Sequence, residues 1–258
     1  MTTRSWHWPS AFAWVLTAFG MALFIALGVW QLHRMHEKIA QLDAVAATLA
    51  QRKPLPLVQT AWDVARKDSY DWVAGTGAFL SWPPILLDNQ FHDGRVGVRV
   101  YRVFGMDKPD WSMGGSILVD FGWLPLPENR QLPDLKFPVS NRITVSGLLS
   151  PPPATGFSLG PVATLHKHAW LATRLDIDAL APKVLDWVPA WKPKLAPRVL
   201  RLDPAVPMGF ERDLVVLPNT LPPARHLAYA VQWFGFALVA LIILVGKHWR
   251  KVGKAENE

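Results

Sequence analysis

The sequence of 258 residues has no cysteine, only three tyrosines and little charge, with 18% Asp, Glu, Lys or Arg. Without thiolates, disulfide stapling and cysteine-based zinc or iron–sulfur sites are excluded. Half of the residues are hydrophobic and the mean hydropathy is slightly positive, which excludes a charge-rich disordered protein. A basic run is missing too. The 27 Lys+Arg exceed the 20 Asp+Glu, but Lys247, Arg250, Lys251 and Lys254 account for part of that excess. The rest is scattered and is not interleaved with aromatics as a nucleic-acid groove would require, so nucleic acid is not an expected partner.

Charge is absent most completely from two stretches. Residues 11–32 carry none, and neither does the stretch between Arg225 and Lys247. At about 1.5 Å of rise per residue, each reaches across a hydrocarbon core of roughly 30 Å. An isolated apolar span must be helical, because its backbone amides have to bond within the segment. A cleaved signal peptide is disfavoured for the first stretch. Its only small-residue cleavage candidate, Ala44-Val45-Ala46, lies beyond His33, Arg34, Glu37 and Lys38.

The flanks set the expected orientation. The basic tail after the second span favours the cytoplasmic side, so two spans place both termini there. Trp6, Trp8 and Trp249 then fall at the inner interface, where indoles prefer to rest. The expected address is a bacterial inner membrane, with the residues between the spans in the periplasm. The boundaries read as a cytoplasmic N-terminus over 1–10, a span over 11–32 and a helical stalk over 33–52. A periplasmic β domain over 53–224, a span over 226–246 and a cytoplasmic basic tail over 247–258 complete the chain.

In the stalk, Leu32, Met35, Ile39, Leu42, Ala46 and Leu49 recur at helical spacing, and the helix should end before Lys53-Pro54. Strand-like runs follow at 72–80, 85–91, 95–104, 116–123, 142–149, 198–202 and 213–217, with a short helix at 174–186. In the third run Val96, Val98, Val100 and Phe104 alternate with Arg95, Arg99 and Tyr101, while Arg102 breaks the alternation. That period of two predicts a half-buried strand. Turn residues separate the runs, as in a small barrel or sandwich. The expected fold class is therefore membrane α+β, two terminal transmembrane helices flanking a mostly β domain.

Chemistry-bearing motifs are few. Gly156-Phe157-Ser158-Leu159-Gly160 matches a nucleophile elbow, but prolines flank it and the alternating strands and helices that present such a serine are missing. It reads as a chance match. His33 with His36 share a helical face, and His166 with His168 one side of a strand, yet neither pair has a regularly spaced third ligand. More informative is the external membrane face. Opposite running directions place Trp30, Gln31 and Arg34 at the depth of Arg225 and His226. His226, Tyr229, Trp233 and Phe236 follow at three, four and three residues and share a face. Ala18, Ala22 and Ala26 form a row that would allow close helix approach. The composite is an aromatic slot with one imidazole and two guanidinium groups. It suits a haem, whose iron takes an imidazole and whose propionates pair with arginine, although a lipid-interface belt has the same composition.

Four segments resemble the Surfeit locus protein 1 family. They are Leu27-Gly28-Val29-Trp30-Gln31-Leu32-His33-Arg34 with Lys38, then Leu87-Asp88-Asn89. The others are Leu118-Val119-Asp120-Phe121-Gly122-Trp123-Leu124-Pro125 and His226-Leu227-Ala228-Tyr229-Ala230-Val231-Gln232-Trp233-Phe234. The likeness extends over nearly the whole chain. It departs at Asp120-Phe121, where the family usually has Asn-Arg, and around 150–170. The resemblance implies a non-enzymatic assembly factor of cytochrome c oxidase that binds haem a and assists its insertion into subunit I. It points to His226 as the metal ligand. With the slot, the expected cofactor-binding set is His226, Tyr229, Trp233, Trp30, Gln31, Arg34 and Arg225. Expected partners are oxidase subunit I, haem a synthase and membrane lipid. The alternative is a cofactor-free scaffold that docks oxidase intermediates through the β domain. Gly122 and Trp123 read as structural, the first for a tight backbone and the second for a core.

Overall fold

The computed structural model describes residues 10–108, 113–135, 137, 141–154, 160–185, 194–216 and 221–255. The chain divides into two compact units, one of residues 1–43 and 220–258 and the other of 44–219. Two long helices, α1 (Ser10–Gln51) and α4 (Pro223–Ala255), begin and end the described chain. Both are long and apolar enough to cross a membrane, and only 6% and 11% of their apolar stretches are buried within the protein. A core helix of a soluble domain would be covered by its own fold, and these two are bare. Trp6, Trp8 and the side chain of Trp249 lie outside the described residues.

The second unit is built on a closed five-stranded barrel. Its strands are β2 (Asp71–Phe79), β4 (Arg95–Asp107), β5 (Met113–Pro125), β6 (Ile143–Ser150) and β9 (Leu195–Leu202). Around the barrel β2 pairs β6, β6 pairs β9, β9 pairs β5, β5 pairs β4, and the end of β4 returns to β2 through Phe79↔Phe104 and its neighbours. Every contact is antiparallel except β5 with β9. Closure of the ladder selects the barrel over the sandwich, and it leaves these five strands no open edge at the seam.

All five barrel strands feed one apolar cluster, with Val73, Phe104, Val119, Val145 and Leu200 among its members. The short helix α2 (Leu57–Trp62), which follows the two-residue strand β1 (Leu55–Pro56), adds Leu57 and Ala61 to it. The near half of β4 splays away from β2 and pairs instead with β3 (Ile85–His92). Beyond β3 lie β8 (Ala169–Ala172) and β7 (Ala163–His166). A second cluster fills the space between this extension and α3 (Ile177–Leu185), around Ile85, Tyr101, Leu118, Leu180 and Val199.

Several expectations change. The alternation in β4 predicted one wet face, but from Gly97 onward the strand is covered on both faces, apart from a partly open start. Arg99 is buried because Asp120 pairs with it at 2.7 Å. Arg102 lies buried among three phenylalanine rings, 4.7 Å from Phe79, 5.2 Å from Phe121 and 4.2 Å from Phe137. A guanidinium can take an apolar-facing position when ring faces supply its counter-charge, which is why it broke the pattern.

The run at 213–217 is not a strand among its described residues, 213–216. Arg201 instead donates to two of its carbonyls, Val215 O at 2.7 Å and Asp213 O at 3.2 Å. The hairpin of β7 and β8 carried no sequence signal strong enough to expect it. It puts His166 at a strand end and His168 in the turn, both exposed, so the expected common strand face does not exist. Helix α3 starts three residues later than expected, and its last expected residue, Asp186, lies outside the described residues, as does Leu217.

Helix α1 runs unbroken to Gln51, as the stalk pattern predicts. Its anchor on the barrel, however, is Val45 with Leu49, packed on Trp72, Leu148 and Val216. Ile39 and Leu42 of the predicted stripe are exposed. Thr48 donates to Tyr70 O at 3.1 Å, and the Arg52 guanidinium lies 4.8 Å from the Trp72 ring.

Candidate functional site

Within the first unit, α1 and α4 run antiparallel. Gln31 meets His226, Gly28 meets Phe234, and Phe24 meets both Trp233 and Phe236, so one index falls as the other rises. Phe24 stacks on Trp233 with ring centroids 5.8 Å apart, and Phe236 packs edge-on against Trp233 at 5.8 Å. The inner stripe of α4 is His226, Ala230, Trp233 and Ala237, a helical repeat of four, three and four residues.

The predicted alanine row is not at this contact. Ala18, Ala22 and Ala26 are all exposed, because the face turned toward α4 is the one that carries Phe24, Gly28 and Gln31. Close approach comes from Gly28 instead. A Cβ there would stand 2.6 Å from Cε1 of Phe234, well inside contact distance, so the missing side chain is what admits that ring.

His226 is 8% exposed, and its Nδ1 lies 2.7 Å from Oε1 of Gln31. A carbonyl oxygen accepts only, so Nδ1 carries the proton and donates, and in the neutral ring the lone pair is then on Nε2. An imidazole held in this tautomer by a partner is suited to bind a metal through the other nitrogen. The rest of the predicted set divides. Gln31 and Trp233 stand at the helix contact with His226, whereas Trp30, at 53% exposed, and Tyr229, at 39%, look outward. Arg34 is exposed and donates to Glu37 at 2.6 Å, so its charge is already shared within α1. Arg225 is exposed and forms no ion pair among the described residues.

The paired histidines have local explanations. His33 Nε2 lies 3.2 Å from a Glu37 oxygen, and His36 Nδ1 lies 2.8 Å from Leu32 O. Of the serine motif, Ser158 lies outside the described residues.

The SURF1 family model matches residues 18–238, most of the chain. The chain belongs to the SURF1 family. This family is associated with the assembly of cytochrome c oxidase and is a family of assembly factors rather than catalysts. No curated protein matches the chain.

The two middle motif segments that resemble the SURF1 family, residues 87–89 and 118–125, occupy defined places in the barrel unit. Gly122 has φ +111°, and a Cβ on it would come within 2.6 Å of Glu211 O, so only glycine fits the kink where β5 shifts register. Trp123 is buried, and its indole N–H donates to Gln90 O at 2.9 Å. Asn89 takes φ +57° at the irregularity between Leu87 and Gln90, and Asp88 accepts from Arg130 at 2.7 Å. Asp120 joins Arg99 at 2.7 Å and Arg201 at 3.7 Å, and takes the Gly122 N–H at 3.0 Å. Phe121, at the departure from the family pattern, is a core ring, and the guanidinium beside it comes from Arg102 of β4.

Sequence reasoning missed the buried ion pairs altogether. Arg198 is fully buried and lies 2.8 Å from Asp71, which also takes Arg66. Burial alone would raise the Asp71 carboxyl, but the hydrogen bonds and charges of Arg66 and Arg198 hold it below its ordinary value. It missed as well a cluster of His92, Asp93 and Glu211 on the barrel unit. Its members stand 119 residues apart at the extreme, and no spacing rule joins them.

Proposed function

We propose that the protein serves cytochrome c oxidase biogenesis by holding haem a between its terminal helices, at the external face of a bacterial inner membrane, for insertion into subunit I. The observation that carries this reading is the buried imidazole of His226, held through Nδ1 by Gln31 of the opposite helix. His226 would bind the iron, with Trp233 and Phe236 as apolar neighbours and Arg225 as the first propionate partner. Arg34 would serve the second by giving up Glu37, a change of low cost because exposed ion pairs contribute about 0–1 kcal/mol. Haem a, when bound, supplies an iron that accepts the imidazole nitrogen.

In this reading both termini are cytoplasmic and the barrel is periplasmic, supported by the basic residues that follow the second apolar stretch. Subunit I is the client, haem a synthase the donor, and no bond is made or broken by the protein itself. Protein purified from cells that make haem a should carry a Soret band, and His226→Ala should abolish or shift it. An unchanged spectrum in that variant removes the ligand assignment. Co-purification with subunit I that survives in a spectrally silent His226→Ala variant would assign docking to the barrel unit instead.

A further inference from the structure

On the barrel unit, we infer that His92, Asp93 and Glu211 form a binding site for a borderline divalent cation of the zinc class, independent of the helix pair. His92 and Asp93 stand at the β3–β4 hairpin, where Asp93 and Gly94 both have positive φ, the pairing that a two-residue turn matched to strand twist requires. Glu211 is brought opposite by its backbone bridge to Trp123. The three ligand atoms lie within 4.8 Å of one another.

Two of the three ligands are oriented from behind. His92 Nδ1 lies 3.3 Å from Asp213 Oδ2, and the other oxygen of Asp213 is held by Arg201 at 3.2 Å. With Nδ1 donating to Asp213, Nε2 presents a lone pair to Glu211 Oε1 only 3.1 Å away. A proton or a metal ion can join two acceptors at that distance, and a metal ion would also engage the Asp93 oxygen that lies 3.8 Å from Nε2. The second oxygen of Glu211 is taken by Arg95 at 3.5 Å, which leaves Oε1 turned to His92. The Trp123 ring packs against the imidazole, with centroids 5.3 Å apart. A carboxylate behind a histidine whose free nitrogen faces carboxylates is the outer-shell arrangement of metal sites. One nitrogen and two carboxylate oxygens, with no thiolate, suit zinc-class ions, with water completing the coordination. Asp93 is 77% and Glu211 49% exposed at the side chain, so the site opens directly to solvent.

The test uses the full chain in detergent, stripped with a chelator and titrated with Zn2+ by calorimetry and with Co2+ by visible absorption. One saturable site is expected, with Co2+ ligand-field bands that disappear in His92→Gln. Asp93→Asn alters only an exposed hairpin carboxylate and should fold normally while weakening Zn2+ at least ~10-fold. Asp213→Asn, one shell further out, should also cost ~10-fold or more. His226→Ala and His166→Asn should leave this site intact. Equal Zn2+ affinity in Asp93→Asn and His92→Gln, or no saturable Zn2+ binding in the parent, would overturn the assignment and leave His92 a protonated clamp between carboxylates.

Discussion

Gly28 is the position at which a single methyl group should tell most about the helix pair. In Gly28→Ala the new Cβ would meet Cε1, Cζ and Cδ1 of Phe234 at 2.6, 2.8 and 2.9 Å. Carbon atoms settle at about 3.5–4.0 Å, so the ring or the helix has to give way by about 0.9 Å. Overpacking of this size costs about 1–3 kcal/mol. At 1.4 kcal/mol per factor of ten, that lowers helix pairing roughly 5- to 150-fold. The absence of cysteine gives a clean assay. Cysteines placed at Gln31 and His226, whose side chains meet in the parent, can be joined by a short bifunctional maleimide. Gly28→Ala should cut the yield, and adding Phe234→Ala should restore most of it by removing the ring that the methyl group strikes. Parent-like cross-linking in Gly28→Ala, or a double variant worse than either single one, would refute the geometry.

Three further outcomes follow from the barrel unit. Gly122→Ala combines a left-handed backbone with a clash on Glu211 O, and strain of that kind costs about 1–3 kcal/mol, readable as a lower denaturation midpoint in tryptophan fluorescence. Arg198→Met strips Asp71 of its fully buried partner and should destabilise by about 3–5 kcal/mol, with Asp71→Asn in the same chain recovering part of the loss. Because its partners depress the Asp71 carboxyl below 3.8, its contribution is complete above that pH and is lost as pH falls through the lower folded value. An acid-unfolding series on the parent should therefore show a steeper decline below about pH 3.8 than the same series on Asp71→Asn, and parallel curves would contradict the pairing.

What the sequence made legible was what depends on local periodicity. The two apolar stretches are helices, α1 continues to Gln51, and six of the seven predicted strands exist. His226 was legible because a polar residue at the start of an apolar helix stands out, and counting depth along two opposed helices put it level with Gln31, although their hydrogen bond was not foreseen. The rest depended on distant pairings. Barrel closure joins Phe79 to Phe104 and sets β9 between β5 and β6, registers that alternation does not encode. The alanine row looked like a contact face, yet a single glycine opposite a phenylalanine fixed which side of α1 turns inward. Charged residues misled most, since the alternation in β4 set Arg99 on a wet face, while Arg99, Arg102 and Arg198 are all buried among partners from elsewhere in the fold.

The place of β9 bears on how the chain is made. This strand is the last of the five to be synthesised, and it is inserted between two strands that come earlier, parallel to one and antiparallel to the other. Until residues 195–202 emerge, β5 and β6 each offer a naked rim of amides and carbonyls, the template on which misassociation starts. A polypeptide stopped short of that point has no smaller cylinder to fall back on. Closure of the unit thus waits on its last strand, and the open rims persist for as long as that strand is delayed.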